Sequence, residues 1–90
     1  MITVPGTATE ELVAGVWREM LDLDELDVTE DFFELGGHSM LAVQVVFRLT
    51  EATGVELDLE DFFDLGTVRE VSAAIDRLRD GGGDVVEGEL

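Results

Sequence analysis

Apolar residues recur along this chain in three stretches at three- and four-residue intervals, the spacing of one buried helix face. In the first stretch Leu12, Val13, Val16, Trp17, Met20 and Leu21 share a stripe. Two start signals precede it: Thr7 with Glu10 has capping-box spacing, and Thr9 stands directly before Glu10 and Glu11. The second stretch runs from Ser39 to about Thr53 and is closed by Gly54, where a left-handed C-terminal residue is expected. The third carries Val68, Val71, Ala74, Ile75 and Leu78 behind another capping box, Thr67 with Glu70. From Asp22 to Gly37 the pattern is irregular and acidic, with Leu23, Leu26, Val28, Phe32, Phe33 and Leu35 as scattered anchors, which reads as a long ordered loop pinned to a core. Val55 to Leu59 reads as an extended link and Leu59 to Leu65 as a short helical turn ended by Gly66. Three glycines at 81–83 are expected to break the last helix and leave a disordered acidic tail over 81–90. The fold predicted is a small all-α bundle of three longer helices plus one short helix, with an N-terminal arm over 1–6 and a folded unit over 7–80.

Two finer patterns refine this picture. Glu30-Asp31-Phe32-Phe33-Glu34-Leu35-Gly36 returns almost unchanged as Glu60-Asp61-Phe62-Phe63-Asp64-Leu65-Gly66. Because the flanking residues do not match, the repeat reads as one local device used twice to stop a turn before a helix. On a wheel of about 100° per residue, the helix from Ser39 places Leu41, Ala42, Val45, Val46 and Leu49 on one broad face. Met40, Val43 and Phe47 fall on nearly the opposite one. A second apolar stripe exceeds what one core contact uses; either it packs against the short helix or the loop, or it stands exposed as a docking strip.

Composition narrows the function. Ninety residues with 5 Arg, no Lys and 22 Asp plus Glu carry a formal charge of −17. Such a chain is repelled by nucleic acid, whose binding rests on Lys and Arg neutralising phosphates, and by anionic membrane surfaces. At 46% hydrophobic residues the chain is nonetheless expected to fold. The absence of Cys removes disulfides, thiolate metal sites and Cys nucleophiles together, and a single His, His38, disfavours zinc. No secretory segment or run of roughly 18 apolar residues is present, so a cytoplasmic, monomeric protein is expected.

The candidate chemistry lies at Gly36-Gly37-His38-Ser39. Two glycines free the backbone of side chains before Ser39, so that a large partner can approach it. Ser39 stands where a helix starts, and helix N-termini favour anions, so a phosphate attached there is well placed. The plain alternative is a Ser N-cap, worth about 0.5–2 kcal/mol. A catalytic serine is disfavoured, because Leu41 occupies the second glycine of a nucleophile elbow and His38, one residue away, is badly placed as a base. His38 itself reads either as a solvated loop residue or as a guide for a partner. An EF-hand loop from Asp22 fails at Leu26 and Asp27, and the glycine pair lacks the strand and Lys of a phosphate-binding loop.

The run Asp31-Phe32-Phe33-Glu34-Leu35-Gly36-Gly37-His38-Ser39-Met40 resembles the carrier (thiolation) domains of nonribosomal peptide synthetases, the peptidyl carrier proteins. The likeness extends from about Thr7 to Leu78. Fatty-acid and polyketide carriers are more distantly similar, with Asp-Ser-Leu at the modified serine; His38 in place of that Asp favours the peptidyl branch. The resemblance implies a four-helix bundle of the acyl carrier protein type, non-catalytic itself, that receives covalent 4′-phosphopantetheine from coenzyme A at Ser39. Leu35, Gly36, Gly37, His38 and Met40 form the flanking motif. It implies a phosphopantetheinyl transferase that supplies magnesium and the general base, an adenylating enzyme or domain, and condensation, thioesterase or tailoring enzymes as partners. The cargo is then an aminoacyl or peptidyl thioester; an acyl carrier or an unmodified acidic interaction module are the alternatives. A start at Met1 and an end soon after the last helix suggest a free-standing member. Met40, Val43 and Phe47 are the expected partner strip, ringed by acids that steer basic partners.

Overall fold

The computed structural model describes the backbone of residues 2–88 and the side chains of residues 2–79. Four helices follow in order: α1 (Ala8–Leu21), α2 (Ser39–Thr53), α3 (Leu59–Leu65) and α4 (Val68–Gly88). Among the described residues the only extended pairing is a single bridge between Asp31 and Thr67. α1 packs against α4 and α2, and α3 closes the bundle against both α2 and α4.

α1 and α4 begin where threonine caps them. Thr7 Oγ1 accepts from the Glu10 N–H at 3.0 Å, and Thr67 Oγ1 from the Glu70 N–H at 3.1 Å. Each bond satisfies a first-turn donor that has no partner inside its helix. Thr7, rather than Thr9, is therefore the cap of α1. Glu10 reaches back to accept from the Gly6 N–H at 2.8 Å, and its other oxygen accepts from Arg69 Nε on α4 at 3.3 Å. This buried carboxylate thus joins the arm, α1 and α4. The arm is also tied to the loop, because Thr3 O accepts from the Val28 N–H at 3.1 Å.

The core is centred on three fully buried rings. Trp17 meets Phe32 edge-on at 5.0 Å between centroids and Phe62 at 5.7 Å, and Phe32 meets Phe62 at 5.2 Å. Leu26, Val28 and Phe32 bury the long loop into this core as expected, so the segment is irregular yet fixed. The two halves of the repeat differ in form: residues 32–36 make turns, whereas the second copy makes α3. They also pack on each other. The Phe32 N–H donates to Gly66 O at 2.7 Å, and Phe33 stacks on Phe63 at 5.5 Å. The repeated device is therefore a mutual contact as well as a pair of helix leads.

One expectation is corrected. α4 runs through Gly81, Gly82 and Gly83 to Gly88 instead of breaking there. Glycine weakens a helix by about 1 kcal/mol per residue relative to Ala, yet it keeps its N–H and can adopt helical angles, so unlike proline it does not interrupt the hydrogen-bond ladder. The disordered tail expected over 81–90 is thus helical to Gly88, and residues 89–90 lie outside the described ones.

A buried hydroxyl and a loop carboxylate each give a test. Ser72 is buried and its Oγ has no hydrogen-bond partner among the described residues. Ser72→Ala removes that unpaired hydroxyl, so the unfolding free energy in urea should stay level or rise by up to about 1 kcal/mol; a clear loss would reveal a partner. In the loop, Thr29 Oγ1 and N donate to Asp27 Oδ1 at 2.6 and 2.8 Å, and these bonds, the hydroxyl first, hold the Asp27 carboxyl below its ordinary range. A folded-state value below the unfolded one gives stability that is present above the unfolded pKa of about 3.9 and is lost as pH falls through the folded value. Parent and Asp27→Asn should therefore differ in thermal midpoint at pH 7 and converge in acid.

Candidate functional site at the start of α2

The loop reaches α2 through two glycines with separate structural reasons. Gly36 has φ +107°, a region that favours glycine. At Gly37 an added Cβ would overlap the Phe32 ring, and the Gly37 N–H donates to Phe32 O at 3.0 Å. The pair reads from sequence as open access for a partner; the structure adds that Gly37 is needed for close packing on the core. Leu35 is half-buried against that core and anchors the turn.

The helix is capped one residue earlier than a Ser N-cap requires. His38 has extended backbone (φ −148°, ψ 173°), and its Nδ1 accepts from the Leu41 N–H at 3.3 Å. Its carbonyl accepts from the Ala42 N–H at 2.8 Å. His38 is thus neither a merely solvated loop residue nor a base turned on Ser39. Ser39 becomes the first residue of α2 and is exposed, and no hydrogen bond among the described residues engages its Oγ. The Ser39 and Met40 N–H groups also lack acceptors there.

Electrostatics at this helix start differ from those at the others. Acidic residues occupy the first turns of α1 (Glu10, Glu11), α3 (Glu60, Asp61) and α4 (Glu70), but none occupies that of α2. In a chain of charge −17, the positive end of α2 keeps its partial charge uncompensated by its own first turn. The sequence holds two serines, Ser39 and Ser72. Ser72 is sealed in the core at 2% exposure, so Ser39 is the one a partner can reach.

Beyond Ser39 the outer face of α2 is apolar. Met40, Val43 and Phe47 are 71%, 51% and 63% exposed, whereas Ala42, Val45 and Leu49 are buried. The second stripe therefore stands free of α3 and the loop. Its borders are unequal. One flank is a hollow where Val43 and Phe47 meet Glu56 and Asp58; the other is a hollow with Met20 and Arg48, and Arg48 pairs with Glu19 of α1. The expected acidic ring is thus present on one side and replaced by an ion pair on the other.

Residues 11–75 match the family model described as "Phosphopantetheine attachment site". The chain belongs to this family of carrier domains. Among similar proteins, one of the linear gramicidin synthase polypeptides of Brevibacillus parabrevis is 47% identical over 77 residues, covering 86% of this chain and 1% of that protein. A chain in the structure of the phosphopantetheine transferase Sfp in complex with coenzyme A and a peptidyl carrier protein superposes with a TM-score of 0.80 at 26% identity. That match covers 82% of this chain and 96% of the other. BlmI, a type-II acyl carrier protein from Streptomyces verticillus involved in bleomycin biosynthesis, superposes at 0.73 with 30% identity, covering 77% and 83%. The carrier domain thus spans about one hundredth of the gramicidin synthase polypeptide and most of each of the two superposed chains.

Domains of this family bind 4′-phosphopantetheine, and the homologues here are carrier domains of nonribosomal peptide synthetases. The start of α2 suits such a group. It offers an exposed hydroxyl and two N–H donors that no hydrogen bond among the described residues engages, and a positive helix end without first-turn acids. No helix among the described residues is long and apolar enough to cross a membrane.

The Gly37 contact gives a test of how the core supports this site. Gly37→Ala should lower the unfolding free energy by about 1–3 kcal/mol through overpacking against Phe32. At Gly36, where open space surrounds the added methyl, Ala should cost only the backbone strain of about 1–2 kcal/mol. The two variants are separated by the Phe32 ring proton shifts, which should move for Gly37→Ala and stay for Gly36→Ala.

Proposed function

We propose that this carrier domain is modified with 4′-phosphopantetheine on Ser39 and shuttles aminoacyl or peptidyl groups as thioesters in nonribosomal peptide synthesis. The observation that carries the reading is the contrast between the chain's two serines: Ser39 exposed, unbonded among the described residues and at the acid-free start of α2, Ser72 enclosed in the core. In the modification step Ser39 Oγ forms the new bond to the phosphorus of coenzyme A. Adenosine 3′,5′-bisphosphate departs with the electron pair of the broken P–O bond, and the hydroxyl proton passes to a base of the transferase. The Ser39 and Met40 N–H groups would hold the resulting phosphodiester anion, since helix N-termini favour anions. The bound arm supplies a terminal thiol, and in a chain without Cys that is its only thiol.

The domain itself is a substrate and carrier rather than a catalyst. No hydrogen bond among the described residues activates Ser39, and the chain's one imidazole is engaged as the helix cap. Activation is therefore assigned to a phosphopantetheinyl transferase, with adenylating, condensation, thioesterase or tailoring partners acting on the thiol. Those partners dock on Met40, Val43 and Phe47 beside Ser39, and Glu56 and Asp58 on one flank attract bases. The carrier unit spans residues 7–80, with residues 1–6 as an arm.

Intact mass after incubation with coenzyme A and a broad-specificity transferase should show one phosphopantetheine gain in the parent and in Ser72→Ala, and none in folded Ser39→Ala. A gain retained by Ser39→Ala would overturn the assignment. With an adenylating partner that loads the holo protein, Phe47→Ala should keep its fold and load several-fold more slowly. Loading should also slow as salt rises, because screening shortens charge attraction to about 8 Å at physiological ionic strength. Unchanged loading by folded Phe47→Ala would remove the strip from the reading.

A further inference from the structure

Histidine is not among the residues that cap helices well; Ser, Thr, Asp and Asn are. Yet at the start of α2 the cap is His38, and a strong capping residue, Ser39, sits directly behind it. The two compete. If the helix began one residue later, Ser39 would become the N-cap, and its Oγ would turn inward to accept from the Leu41 or Ala42 N–H, the second and third residues of the new helix. His38 already occupies both groups, Leu41 N–H through Nδ1 at 3.3 Å and Ala42 N–H through its carbonyl at 2.8 Å.

We infer that His38 is a positioning residue for Ser39: by holding the cap of α2 it prevents the serine from capping the helix itself and keeps the Ser39 hydroxyl turned outward for modification. The inference rests on Ser39 being the modified residue. The Nδ1 contact also fixes the tautomer, since a neutral imidazole that accepts at Nδ1 carries its proton on Nε2. A protonated ring has no acceptor and cannot hold the cap. Gly37 contributes from the other side, because its packing on Phe32 sets the chain's approach to His38.

The test separates capping from mere folding and from direct contact with the transferase. In the unmodified protein, without coenzyme A or enzyme, His38→Ala should move the Ser39 backbone and Cβ shifts from helical toward extended N-cap values, as the first-turn N–H held by His38 passes to Ser39 Oγ. His38→Asn, a strong cap of different shape, should restore the parent shifts. His38→Gln, as long as histidine but a poor cap, should not. Transferase kcat/KM should fall roughly three- to thirtyfold for His38→Ala and His38→Gln, the range set by the strength of an N-cap, and recover in His38→Asn. Nitrogen shifts of the single imidazole should show Nδ1 unprotonated and Nε2 protonated in the parent. Unchanged Ser39 shifts in His38→Ala overturn the inference, as does a His38→Asn that modifies as slowly as His38→Ala. Failure of the Ser39 assignment is seen separately, as a mass gain that survives Ser39→Ala.

Discussion

Phe32 ties the core to the site through both its ring and its backbone. The ring lies between Trp17 and Phe62 and presses on Gly37, while the N–H donates to Gly66 O and the carbonyl accepts from the Gly37 N–H. A single residue therefore joins α1, the lead into α4, α3 and the glycine directly before the cap of α2. Burying a Phe side chain contributes about 1.5–3 kcal/mol, and here much of that burial fixes where a loop ends. The loop between α1 and α2 needs no regular hydrogen-bond ladder because Leu26, Val28 and Phe32 anchor it from below.

Charge is arranged in two scales that oppose each other. Over the whole chain, acids outnumber bases by seventeen, which disfavours any anion. Within the first turn of α2 there is none, and the donors of Ser39 and Met40 are left without acceptors among the described residues. Because exposed charges are screened over about 8 Å, the near field of the helix end dominates for a group bonded at Ser39, while the wider field governs approach of whole proteins. The apolar strip of Met40, Val43 and Phe47 lies between these regimes, with carboxylates on one flank and the Arg48–Glu19 pair on the other.

Much of this was readable in the residues, for reasons that are local. Thr7 and Thr67 sit three residues before Glu10 and Glu70, and the threonine caps need nothing beyond that spacing; the reciprocal half of a capping box does not form, since Glu10 accepts from the Gly6 N–H and the Thr67 N–H donates to Leu65 O. The outward strip of α2 follows from the helical period, which divides the same stretch into Ala42, Val45 and Leu49 inside and Met40, Val43 and Phe47 outside. The pairing of the two acidic repeats was not readable, because the Phe32–Gly66 bond and the Phe33–Phe63 stack join residues some thirty positions apart. The cap of α2 was missed because histidine carries little capping signal; only the proximity of Nδ1 to the Leu41 N–H reveals it. The glycines at 81–83 misled because low helix propensity is a weak penalty when nothing forbids helical geometry.

The chain has one Trp and no Tyr, and that Trp, fully buried, touches the Phe that braces the loop before Ser39. Its near-ultraviolet absorption and emission therefore arise almost entirely from one indole in one place. The molecule carries an intrinsic optical gauge of the packing beneath its own site, free of tyrosine background, and any event at the loop that shifts Phe32 registers there without a label.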